Sequence, residues 1–191
     1  MKRVLLIAAA SAALAACETT AYGPPPPPPP PPTRMMPPPP PPPPQASPNA
    51  FHPEEFGWSK APGRGQLQGT VSFRAGQTRY TCAASDVLLT PETPWSRRRM
   101  NILYGSSFSA AVPVALVRER SPSAPSGDYA SFVRHAVCDG ANHFSFAGLP
   151  DGAWYVITVA KPVGNPNGEK VAIMRRVETR TGLRGVILNG Q

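Results

Sequence analysis

His143-Phe144-Ser145-Phe146-Ala147-Gly148-Leu149-Pro150-Asp151-Gly152-Ala153-Trp154-Tyr155-Val156 is the stretch whose reading decides the fold. His143 to Phe146 alternates polar and aromatic residues, the period of a half-buried strand. Gly148 and Gly152, with Pro150-Asp151 between them, read as a tight turn. Residues 153–160 then hold Trp154, Tyr155, Val156, Ile157, Thr158 and Val159. Aromatic and β-branched side chains of this kind fit a pleated surface. The second strand is therefore expected to return antiparallel to the first. Phe144, Phe146 and either Trp154 or Tyr155 are the candidate core.

The same patterns extend outward in both directions. Residues 69–74 alternate, and residues 86–90 form a short apolar run stopped by Pro91. Residues 112–118 are a weaker strand candidate, because Pro113 demotes the start. Residues 129–137, 171–179 and 183–188 complete the set. Asp139-Gly140, the 164–168 segment and Thr181-Gly182 supply turns between them. Residues 95–104 are compatible with one short helix or a long loop. Seven or eight short strands at this spacing predict an all-β sandwich.

The phrase at 143–156 resembles the repeated phrase of transthyretin-like domains, such as the carboxypeptidase regulatory domain and the B-type repeat of collagen adhesins. Gly69-Thr70-Val71 resembles the first strand of that family and Val87-Leu88-Leu89 the second. The resemblance implies a transthyretin-like β-sandwich acting as a binding or structural module. Adhesin repeats often carry a Lys–Asn isopeptide bond with the lysine in the first strand. That strand carries Arg74 here and no lysine, so the bond is not expected.

The N-terminal part reads differently. Lys2 and Arg3 precede an apolar, alanine-rich segment over 4–14, too short to span a bilayer. It closes as Leu14-Ala15-Ala16-Cys17, which resembles the lipobox of bacterial lipoprotein signal peptides. The resemblance implies cleavage before Cys17 and acylation of its thiol. At ~0.8 kcal/mol per buried CH₂, several acyl chains hold a protein to a membrane where one does not. Glu18 stands where aspartate resembles an inner-membrane retention mark, so the outer membrane is the expected address, facing the periplasm or the cell surface. The expected organisation is a signal peptide over 1–16, a lipidated N-terminus and linker over 17–50, and the sandwich over 51–191.

The linker contains two uninterrupted proline runs, 24–32 and 37–44, separated by Thr33-Arg34-Met35-Met36. Proline fixes φ and lacks an N–H, so neither helix nor sheet is available. A disordered polyproline stalk is expected, about 65 Å long at ~3.1 Å per residue. A spacer role is favoured over a docking peptide, because the runs carry few side chains that give specificity.

With Cys17 lipidated, Cys82 and Cys138 remain. Export places them in an oxidising compartment, so a disulfide is expected, against the alternative of two free buried thiols. No catalytic constellation emerges, and no enzyme or cofactor is expected. Ser106, Ser107 and Ser109 lack a nucleophile elbow, and no glycine loop cradles a phosphate. His52 falls at the linker. A small metal site or an enzymatic centre using His135, Asp139 and His143 is the rival reading, although two histidines across a turn fix no third ligand.

The net charge is +8. Arg97, Arg98 and Arg99 form the densest basic cluster, and the partners expected of it are anionic: peptidoglycan, lipid A or an envelope protein. The expected compartment excludes nucleic acid. Substitution Cys17→Ser is expected to leave the precursor uncleaved and unlipidated. Metabolic labelling with a fatty-acid analogue checks this, and labelling of the variant at the wild-type level would contradict the assignment.

Overall fold

The computed structural model describes Gly23 and residues 50–121 and 128–191. Cys17, Glu18 and both proline runs lie outside the described residues. The described residues from 50 onward belong to one compact unit. Among the described residues it contains ten strands: β1 Gly65–Val71, β2 Arg74–Ala75, β3 Thr78–Thr81, β4 Asp86–Pro91, β5 Ser109–Pro113, β6 Arg134–Val137, β7 His143–Leu149, β8 Gly152–Pro162, β9 Val171–Thr179 and β10 Gly182–Leu188. Helices α1 Pro94–Tyr104 and α2 Val114–Glu119 join them, with 3₁₀ helices at Pro53–Lys60 and Tyr129–Phe132.

Two sheets face each other. The smaller has the order β10-β1-β7, with β1 parallel to β10 and antiparallel to β7. In the larger, β8 is flanked by β4 on one side and β9 on the other. Beyond these lie β6 and β5, and the β2–β3 hairpin pairs with the end of β8. The mostly β reading is therefore met, with β2 and β3 added to the strands legible in the sequence.

The Pro150-Asp151 turn does something other than close a hairpin. β7 pairs with β1, while β8 pairs with β3, β4 and β9. The chain thus crosses from one sheet to the other at this turn, and its two aromatic sets meet face to face across the core. Phe144, Phe146 and Trp154 are all buried there, with Leu67, Val87 and Ile173. Tyr155, the next residue along the strand, points the other way. It packs under α1 with Met100, Leu103 and Met174. Trp154, rather than Tyr155, is the inter-sheet aromatic.

Two glycines permit this packing. A Cβ on Gly69 would overlap the Phe144 ring, and one on Gly152 would overlap the Trp58 ring. Trp58 sits in the 3₁₀ helix Pro53–Lys60, which also buries Phe56 completely. The chain after the linker is thus part of the core.

The helical layer settles two readings of the sequence. Residues 95–104 form α1, capped by Thr93, whose hydroxyl accepts from the Ser96 amide while Ser96 Oγ accepts from the Thr93 amide. Of residues 112–118, only Val112 and Pro113 are strand. Pro113 ends β5, and α2 begins at Val114. Val114 and Val117, one helical turn apart, pack against the cluster under α1. Similarly, residues 129–132 form a 3₁₀ turn and only Arg134–Val137 is a strand.

Cys82 and Cys138 are bonded, with their Cα atoms 5.7 Å apart. Both are buried. Closing a loop of this length constrains the unfolded chain by up to about 4 kcal/mol in the chain-entropy model. The protein is expected to unfold at a lower urea midpoint after reduction, or as the Cys82→Ala/Cys138→Ala variant. Coincident unfolding curves for the oxidised and reduced forms would contradict a stabilising bridge.

Candidate functional site

A groove of about 980 Å³ lies across the outer face of the smaller sheet. Its floor follows from strand register. Leu67, Gly69 and Val71 of β1 face the core, so Gln66, Gln68 and Thr70 face out. Gln68 lies between Gly185 of β10 and Ser145 of β7. Thr70 lies between Ile187 and His143. Two cross-strand rows result, Gly185–Gln68–Ser145 and Ile187–Thr70–His143. The floor is rich in hydrogen-bonding groups, namely an amide, two hydroxyls and an imidazole.

The far end is shaped by the β6–β7 connection. Asp139 Oδ1 accepts from the backbone amides of Ala141 at 2.9 Å and His143 at 2.7 Å. Its other oxygen lies 3.8 Å from His143 Nδ1. Asn142 Oδ1 accepts from Thr81 Oγ1 at 2.6 Å and from the Cys82 amide at 3.0 Å. The disulfide ties the same loop at Cys138. The end of the groove is therefore held by covalent and polar contacts together. Val137 from β6 and Ile187 from β10 stand as exposed apolar rims.

His135 does not join this site. Ala136 packs on the inter-sheet core, so His135 beside it faces outward from the larger sheet, opposite Leu88. His143 faces outward from the smaller sheet. The two histidines thus occupy opposite faces of the sandwich, because β6 and β7 belong to different sheets. The metal or enzymatic reading of His135, Asp139 and His143 lacks its third member. Among the described residues, no three His, Cys, Asp or Glu side chains gather as a metal would need.

The arginine run is dispersed by the helix that carries it. Successive helical residues point about 100° apart. Arg97 Nε donates to Glu92 Oε1 at 2.8 Å, and Arg99 lies over the Trp95 ring, 5.5 Å from its centroid. Arg98 is exposed on α1. Glu92 is itself a hub. Its nearly buried carboxylate also accepts from Arg176 Nε at 2.7 Å and Tyr155 OH at 3.1 Å. Burial first, and then the Glu92 charge, push the Tyr155 hydroxyl up to about 12. This cluster fastens α1 to β8 and β9.

A second groove, about 470 Å³, lies between β9 and β10. Arg175, Arg176 and Arg184 line it, with Glu178 as its one carboxylate. Arg175 spans it, donating to the Ile187 carbonyl at 3.2 Å, to Asn189 Oδ1 at 3.0 Å and to the Gln191 carbonyl at 2.7 Å.

No family model matches the chain. No curated protein matches it either. A solved structure has a similar fold. It is the crystal structure of a "putative carbohydrate binding protein" from Pseudomonas aeruginosa, 21% identical, with a TM-score of 0.54. The match covers 73% of this chain and 97% of that one.

Sequence reasoning passed over Gln68, Thr70 and Ser145, the residues that make the groove floor. It used the alternation at 69–74 and 143–146 only to find the inward face. The available signal was on the other face, where exposed positions carry uncharged polar side chains in place of lysine and glutamate.

Proposed function

We propose that this chain is a carbohydrate-binding lipoprotein of the bacterial envelope, a binding module and not an enzyme. The observation that carries the reading is the groove on the smaller sheet, with Gln68, Ser145, Thr70 and His143 on its floor and the exposed apolar Val137 and Ile187 beside them. Sugar hydroxyls both donate and accept, and an amide, hydroxyls and an imidazole match them without requiring a charged partner. Ile187 and Val137 offer apolar contact for the C–H faces of a sugar ring. The shared fold with the Pseudomonas aeruginosa protein, and the carbohydrate-binding description that protein carries, support the same reading.

The rest of the chain fits this role as an address. Acylation at Cys17 would hold the protein at the outer membrane, and the proline stalk would set the distance over which the sandwich searches. Peptidoglycan, lipid A and envelope proteins lie within that reach. Arg97, Arg98 and Arg99 would add weak attraction to such anionic surfaces, on the order of 1 kcal/mol each and reduced by salt. A tethered module needs little intrinsic affinity, because the anchor already raises its local concentration.

Co-sedimentation with insoluble polysaccharides, including purified peptidoglycan, tests the site. The Gln68→Ala/Thr70→Ala variant is expected to bind at least about fivefold more weakly, roughly the loss of one net hydrogen bond. Its melting temperature should stay close to that of the parent, since both side chains face solvent. Unchanged pelleting of the variant would place the ligand elsewhere.

A further inference from the structure

The two grooves described above are neighbours. Both are lined by Gly185, Val186 and Ile187, so a single strand, β10, separates a floor of polar groups from a cleft of arginines. The crest between them is lowest at Gly185. That residue is exposed, and a Cβ built on it would meet nothing within 4 Å. Its partner across the ladder is Gln68 of the floor, and the next residue back, Arg184, lines the cleft.

We propose, resting on the carbohydrate-binding reading above, that the ligand is an acidic glycan lying over β10 at Gly185. Uncharged parts of its sugars sit on the Gln68 and Thr70 rows, and a carboxylate enters the cleft beside Arg184.

Charge complementarity selects this occupant. Three guanidinium groups line the cleft; Arg176 is paired with Glu92 and Glu178, which leaves the charges of Arg175 and Arg184 in excess. Arg180 stands close by on the β9–β10 turn. The field is strong enough that Arg176 foremost, with Arg180 and Arg184 adding to it, holds the Glu178 carboxyl below the usual carboxylate range. Arg175 and Arg176 are committed to the chain end and to Glu92. Arg184 is the exposed member at the crest, placed to meet an incoming anion. A neutral polymer would leave this cleft unused. A small anion would use it and leave the larger groove empty. Only a ligand with both characters uses both faces of β10.

The test compares polygalacturonate with its fully methyl-esterified form, which has the same backbone and no charge. Each is titrated into the full chain in detergent. The acidic polymer is expected to bind about tenfold more tightly, and Arg184→Gln is expected to reduce that ratio to about two. A Cβ at Gly185 meets open space, so Gly185→Trp raises the crest where the ligand would cross, and is expected to weaken binding of both polymers about tenfold. Equal affinities in the parent, an undiminished ratio in Arg184→Gln, or full binding of polygalacturonate by Gly185→Trp would each overturn the proposal. If the methyl ester binds as well as the acid and Gly185→Trp blocks both, the groove remains a sugar site and only the acidic specificity falls. If neither polymer binds, and no other polysaccharide pellets the protein, both proposals fail together.

Discussion

Trp154 is the side chain on which the two sheets converge. It is fully buried between them, its indole Nε1 donates to Thr179 Oγ1 at 2.9 Å, and Thr179 in turn donates to the Pro150 carbonyl at 2.8 Å. One ring thus links β8, β9 and the turn that leaves β7. The Trp58 ring packs edge-on against it at 4.9 Å, and the Arg134 guanidinium lies over it at 5.6 Å. Arg134 also donates to the Ser59 and Gly148 carbonyls, which draws the N-terminal 3₁₀ helix onto the same turn. Removing a buried aromatic of this size typically costs about 3–5 kcal/mol. Here it would also unfasten the one place where both sheets and the segment after the linker meet.

That arrangement frees the smaller sheet. Its inner face, with the Phe144 ring against Gly69, packs on the core. Among the described residues no helix covers its outer face, whereas α1 and α2 cover the corresponding face of the larger sheet. A three-stranded sheet with a solvated outer face and a covalently fixed end is a rigid platform. The Cys82–Cys138 bridge and the Asn142 contacts fix one end of the groove, and Arg175, donating to Ile187 of β10 and to Asn189 and Gln191 after it, holds the β10 side. Binding to such a surface orders little of the protein, so less of the interaction energy is lost to ordering.

The strands with clear period-two patterns or long β-prone runs were legible from the sequence. β7, β8, β9 and β10 fall where the residues place them, within a few positions at each end. The disulfide was legible because only one pairing remains once Cys17 is set aside. What period cannot reveal is which strand pairs with which. The 143–156 phrase reads equally well as a hairpin or as a crossing between sheets, and only the competing edges of β1, β4 and β9 decide it. The helix α2 was hidden for a related reason, since Val112, Val114 and Leu116 satisfy a strand's period of two while Val114 and Val117 satisfy a helical spacing. The groove was missed because it is a property of three strands side by side. Gln68, Ser145 and Gly185 are far apart in the chain, and only register brings them into one row.

The central claim is that the outer face of β10, β1 and β7 is the ligand surface. Backbone amide NMR of the isotope-labelled protein, recorded during titration with a polysaccharide fragment that it binds, tests this most directly. The account predicts that chemical-shift changes concentrate at Gln68, Thr70, Ser145 and Gly185 while the amides of α1 and α2 stay in place. Changes confined to the helical layer, with the smaller sheet unperturbed, would contradict it.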